Sequence, residues 1–206
     1  MKDIKKFLIM IFAVLFVFAF TKVVFAATSG QYKIKVAVVE EALGIQVVAD
    51  TVDLGYVVKG SSVITTDNST GRTITKNTGA VNITLKLQLT GCTTSWTAGS
   101  TSLTDNGGDK YVLATVFERW DGTHDWSHYG DEDVITTTEK TCTAASGTHI
   151  FAPSTSQGGS DDWDGYNIPP GGEVSNFYFF KAPSSLTTEY GRQETITVTV
   201  TAIQQQ

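Results

Sequence analysis

The sequence predicts an all-β chain folded as an antiparallel β-sandwich, and three observations carry that prediction. Past its first 26 residues, no stretch holds a long apolar period of 3.6 residues. Period-2 alternation recurs instead, divided by clusters of Gly, Asn, Asp and Ser, as expected for strands with one wet face. The length also suits one domain with a full hydrophobic core, and no internal composition break suggests a second.

The N-terminus has the form of an export signal. Lys2, Lys5 and Lys6 precede an uninterrupted apolar run from Phe7 to Phe20, and Val24 and Ala26 occupy the small-residue positions of a signal-peptidase site. That run is shorter than the roughly 20 residues a membrane-spanning helix needs, and Lys22 closes it. The expected division is therefore a cleaved signal peptide over 1–26 and a single β-sandwich domain over 27–206. No cysteine stands directly after the cleavage site and "TVTVTAIQQQ" carries no apolar tail, so the expected location is extracellular or at the cell surface, without membrane attachment.

Strands follow in order. "QYKIKVAVVEEALGIQVV" opens with Tyr32, Ile34, Val36 and Val38 in alternation, which predicts a strand over 31–39. "VVEEALG" is the one short helix-like stretch, and Ile45, Val47 and Ala49 resume the alternation after Gly44. Ile83, Leu85, Leu87 and Leu89 line one face of "NITLKLQLT". "KYVLATVFERW" is continuously apolar, as a buried central strand is. "EVSNFYFFKA" places Val174, Phe177 and Phe179 near one face, and "ETITVTVTAI" sets Ile196, Val198 and Val200 against Thr195, Thr197, Thr199 and Thr201. Between them, "DNGGD" from Asp105 reads as a hairpin turn.

Charge and cysteines narrow the function. The leader carries Lys2, Lys5, Lys6 and Lys22 against Asp3, so its removal takes the net charge from −6 to −9. Such a surface repels phosphate backbones and anionic headgroups, which excludes nucleic acid and membrane surfaces as partners. Cys92 and Cys142, an even pair in an exported chain, predict a disulfide. Closing that loop stabilises by about 4 kcal/mol in the chain-entropy picture.

Candidate sites are sparse. His124 and His128 are four apart, but Gly122 and Gly130 make their segment a loop rather than a zinc-binding helix. Asp161, Asp162 and Asp164 precede Gly165 in a partial calcium-loop pattern that lacks the closing Glu. Trp120, Trp126 and Trp163 fall in or beside loops, where aromatic planes can stack on sugar rings or cap the end of a sandwich. There is no G-x-S-x-G, H-E-x-x-H or C-x-x-C motif, so no enzyme and no cofactor is expected.

Two stretches carry a resemblance. "VDLGYVVKGSSVITTDNSTGRTITKNTGAVNITLKLQL" holds Asp53, Leu54, Gly55, Val57 and Gly60, then Thr75, Asn77, Thr78 and Gly79. This pattern resembles secreted bacterial immunoglobulin-like sandwiches, and the fold class expected is accordingly an immunoglobulin-like or jelly-roll sandwich. Further on, Pro170-Gly171-Gly172-Glu173 leads into the aromatic strand Phe177 to Phe180 and a terminal strand from Thr195 to Ile203. With the leader and the short opening strand, this order resembles TasA/camelysin-type subunits of extracellular biofilm fibres. The resemblance implies a structural protein that polymerises when one subunit lends its N-terminal strand, here Tyr32, Ile34, Val36 and Val38, to a neighbour. The cysteine pair and an N-terminal region long enough for two strands depart from that pattern.

The expected function is a non-catalytic structural protein of the cell surface or extracellular matrix: either a fibre subunit joined by donor-strand exchange, or a monomeric surface or matrix domain that keeps this strand in its own sheet. Its partners are further copies of itself or other surface proteins, held by β-augmentation at exposed strand edges. The alternative is a carbohydrate- or calcium-binding module that uses the tryptophan and aspartate loops.

Overall fold

The computed structural model describes residues 31–41, 43–66, 70–93, 96–118, 125–144, 150–151, 165–187 and 193–205. They form strands β1 (Gln31–Glu41), β2 (Ile45–Ala49), β3 (Thr51–Val58), β4 (Ser62–Ile64), β5 (Arg72–Asn77), β6 (Ile83–Cys92), β7 (Thr97–Ala98), β8 (Lys110–Glu118), β9 (Lys140–Thr141), β10 (Glu173–Lys181) and β11 (Gln193–Gln204). Short 3-10 turns lie at Trp126–His128 and Asp131–Asp133. Among the described residues no helix is long and apolar enough to cross a membrane.

Two mixed sheets pack together. One runs β3-β1-β11-β6-β9, the other β2-β5-β10-β8-β7, with β4 also on β10. The expected antiparallel pairing needs correction at two places: β1 lies parallel to β11, and β7 parallel to β8. Alternation reports which face a strand buries, not which way its neighbour runs. Nearly the whole described chain separates β1 from β11, so no hairpin fixes their relative direction. Because β7 and β8 are parallel, "DNGGD" is not the turn of a hairpin between them. It anchors instead: Asn106 Nδ2 donates to the Ala182 carbonyl at 2.9 Å.

The main core lies between the sheets and holds Ile34, Val36, Leu85, Leu87, Tyr178, Phe180, Ile196 and Val198. The predicted faces of β6 and β11 agree with it. β10 does not: Val174, Tyr178 and Phe180 face this core, while Phe177 and Phe179 belong to a second cluster with Val112, Val116, Tyr129 and Val134. The second sheet is thus apolar on both faces, which erases the period-2 signal. "VVEEALG" is also not helical where described, since β1 continues through Glu41.

Asp133 pins the cover of that second face. Fully buried, it accepts from Phe151 N at 2.6 Å through Oδ1 and from Gly130 N at 2.9 Å through Oδ2. Asp133→Ala strands both donors and is expected to lower the unfolding free energy by roughly 3 kcal/mol, read from urea denaturation. An unchanged midpoint would show that the cover contributes nothing.

The predicted disulfide is corrected. Cys142 N donates to the Leu85 carbonyl, so Cys142 stands beside Leu85, while Cys92 closes the far end of the same strand. That separation is roughly 20 Å at about 3.3 Å per residue. A disulfide requires Cα atoms within about 7 Å, so the two thiols are not bridged.

Candidate functional site

β1 forms because its residues alternate, and it is held on both sides. Ile34 and Val36 are fully buried, while Lys35 between them is half-buried. Against β11 the register pairs Ile34 with Glu194 and Val36 with Ile196. Against β3 it pairs Ile34 with Gly55 and Val36 with Val52, with a bulge between Ile34 and Lys35. Gly55 takes φ 67° there, and its N–H is met by Asp53 Oδ1 at 2.9 Å. A bulge of this kind twists an edge strand and discourages edge-to-edge pairing along β3. The strand read as a donor therefore fills a slot inside its own sheet.

Only residues 42–44 join β1 to β2, across from one sheet to the other. Leu43 has φ 47° and Gly44 φ 64°. Glycine accepts that region freely, but a branched side chain is strained there by about 1–2 kcal/mol. Leu43 gains little packing in return, being 54 % exposed.

The turn motifs read from the sequence converge on this hinge. The Gly44 carbonyl accepts from both the N–H and the hydroxyl of Thr78. A Cβ on Gly44 would lie 2.8 Å from Gly79 Cα, so two glycine backbones meet face to face. Asn77 organises the corner. Its Nδ2 donates to the carbonyls of Val81 at 2.8 Å and Ile168 at 2.9 Å, and its Oδ1 accepts from Gly79 N at 2.9 Å. Its own N–H donates to the Gly172 carbonyl, and its carbonyl accepts from Gly171 N. Asn77-Thr78-Gly79 and the Pro170 to Glu173 turn thus form one latch on the hinge. The sequence marked both motifs as turns; that they meet depends on tertiary packing.

Thr78→Val keeps the backbone donor and removes the hydroxyl. It is expected to weaken the latch by about 1 kcal/mol, seen as faster amide exchange confined to the neighbourhood of residues 43–45. Uniform exchange across the hinge would contradict the latch.

Trp126 is described: its ring is 49 % exposed and stands edge-on to Phe179 with centroids 5.5 Å apart. Trp120, Trp163, Asp161, Asp162 and Asp164 lie outside the described residues, as does His124. Among the described residues, no three His, Cys, Asp or Glu side chains gather as a metal site. A groove of about 800 Å³ runs past Leu89, Cys92, Trp96, Tyr111, Thr136 and Lys140. Within it burial, and then the Cys92 thiol, push the Tyr111 hydroxyl above its ordinary pKa. Comparison of the chain with protein-family models and with curated proteins gives no match.

Proposed function

We propose that this chain is a secreted, non-catalytic structural protein of the cell surface or extracellular matrix. In this reading it is a fibre subunit in which β1 of one copy enters the slot between β3 and β11 of the next. The reading includes an immunoglobulin-like or jelly-roll sandwich and the kinship with TasA/camelysin-type subunits that the motifs suggest. Its partners are further copies of this chain or other surface proteins.

One observation carries the proposal: β1 is hydrogen-bonded on both sides, yet covalently tied to the rest through a hinge of three residues. A strand supplied by a neighbour would make the same bonds in the same register, so kept and exchanged forms differ mainly at the hinge. Extending the hinge relieves the left-handed Leu43, and short strained hinges favour swapping. Against that stands the entropy of association, of order 4–15 kcal/mol, which the hinge alone does not offset. The proposal therefore expects assembly to depend strongly on concentration, and to occur outside the cell after the leader is removed.

Electron microscopy of the secreted protein tests this. Filaments are expected at high concentration, and excess synthetic peptide of sequence QYKIKVAVVEE is expected to fill slots and shorten them. Monomers at every concentration would remove the fibre reading.

A second reading, glycan binding, draws on the half-exposed Trp126 ring held in place by Phe179. It expects sugar binding that Trp126→Ala abolishes; flat binding curves dismiss it.

A further inference from the structure

β1 and β11 are the first and last strands among the described residues, and they lie side by side and parallel. Their register runs through nine consecutive pairs, from Lys33 opposite Gln193 to Glu41 opposite Thr201, without a shift. The ladders on their other sides, β1 with β3 and β11 with β6, are each interrupted by a shift of register.

Direction decides how such a ladder meets a pull. The chain enters β1 at Gln31 and leaves β11 at Gln204. Because the two strands are parallel, those points lie at opposite ends of the ladder. Tension between them runs along the strands and loads the bonds of the ladder together. In an antiparallel pair, entry and exit would lie at one end, and the same tension would open the bonds one after another.

Side chains and hinge both oppose sliding. Ile34 and Val36 are fully buried, in register with Glu194 and Ile196. A slip of one residue would turn both out of the core, because strand side chains alternate between faces. At its far end β1 is tied down through Gly44, whose carbonyl accepts from the N–H and the hydroxyl of Thr78. Drawing β1 back along β11 means pulling Gly44 off Thr78.

We infer that the β1–β11 ladder is a mechanical clamp, a force-bearing element that keeps the domain folded when the chain is stretched between its two ends. Peeling costs one bond at a time, whereas shear requires several bonds to fail at once. The lifetime under equal force is therefore expected to be at least about a hundredfold longer in shear. The clamp goes beyond the strand-exchange reading and needs no second copy.

Single-molecule force spectroscopy on the full secreted chain tests it. One protein, carrying Gln193→Cys with Cys92→Ser and Cys142→Ala, is held in two ways. In the first, handles are fused to both ends; in the second, one handle stays ahead of Gln31 and the other is attached at the exposed position 193, opposite Lys33. Stability is the same in both, so only the direction of pull differs. The end-held chain is expected to outlast the other at least about a hundredfold at equal force. Equal lifetimes, or a longer life when held at 193, overturn the clamp. Should that variant fail to fold, Ser185→Cys replaces Gln193→Cys. Ser185 is exposed and lies at the Gln31 end, since Gly60 N donates to the Pro183 carbonyl and Val58 stands opposite Gln31. Filaments are scored separately: a clamp without filaments removes strand exchange alone, and filaments from a chain with equal lifetimes remove the clamp alone.

Discussion

Replacing Ile34 and Val36 together by alanine is expected to leave the chain largely unfolded at room temperature. Both side chains are fully buried in the core between the sheets. Truncating a buried Ile costs about 2–5 kcal/mol and a buried Val somewhat less, so the pair removes roughly 5 kcal/mol. Domains of this size are stable by only about 5–15 kcal/mol, so the loss takes most of the margin. β1 also separates β3 from β11, and loosening it exposes two strand edges at once. Circular dichroism and urea denaturation read the effect directly. Lys35→Ala, at the half-buried position between them, serves as the control and is expected to change stability little. A double variant as stable as the parent would mean that β1 is not a structural strand of the domain.

Gly44→Val is expected to have the next largest effect, and it separates the fold from the assembly. A side chain at φ 64° is strained, and its Cβ would sit 2.8 Å from Gly79 Cα and 2.9 Å from Gly79 N. Neither backbone atom can move without breaking the Asn77 corner. The expected loss is about 3 kcal/mol, measured by thermal or urea unfolding. That strain belongs only to the bent hinge. An extended hinge, as in an exchanged dimer or fibre, accommodates valine without penalty. Exchange of β1 between differently tagged subunits is therefore expected to rise about a hundredfold, which is the same energy expressed as a ratio. A destabilised variant whose subunits exchange no faster would show that the hinge serves only the closed fold.

How far the sequence carried these conclusions varied from strand to strand. β6 and β11 were legible because each buries one face: Ile83, Leu85, Leu87 and Leu89, and then Ile196, Val198 and Val200, all lie inside as their alternation requires. β10 was not, because Phe177 and Phe179 are covered by the segment carrying the two 3-10 turns while Tyr178 and Phe180 fill the main core. β5 misleads in the opposite way. In "RTITKN" the apolar Ile74 lies on the outer side and the threonines are inside, an arrangement that no single-strand pattern signals. Cys92 and Cys142 satisfied every sequence criterion for a bridge, but Cys142 adjoins the pairing of β6 with β9 while Cys92 ends β6, and the length of a strand holds them apart. For the candidate site, the strand itself was legible as alternating residues. The hinge was not, since nothing in the letters Leu43-Gly44 announces a left-handed leucine. Nor does the sequence reveal that Thr78 closes on the hinge from 34 residues away.

The most direct measurement of strand exchange uses the register of β1 on β11. Lys35 stands opposite Thr195, and both are half-buried. Cysteines placed at both positions, with Cys92→Ser and Cys142→Ala, would join β1 covalently to whichever β11 it rests against. Material oxidised after assembly and run on a non-reducing gel is expected to give a ladder of linked subunits, whereas dilute protein oxidised first gives internally bridged single chains that no longer assemble. Assembled material that dissolves into single chains, each bridged internally, would contradict the account, because every subunit would then have kept its own first strand.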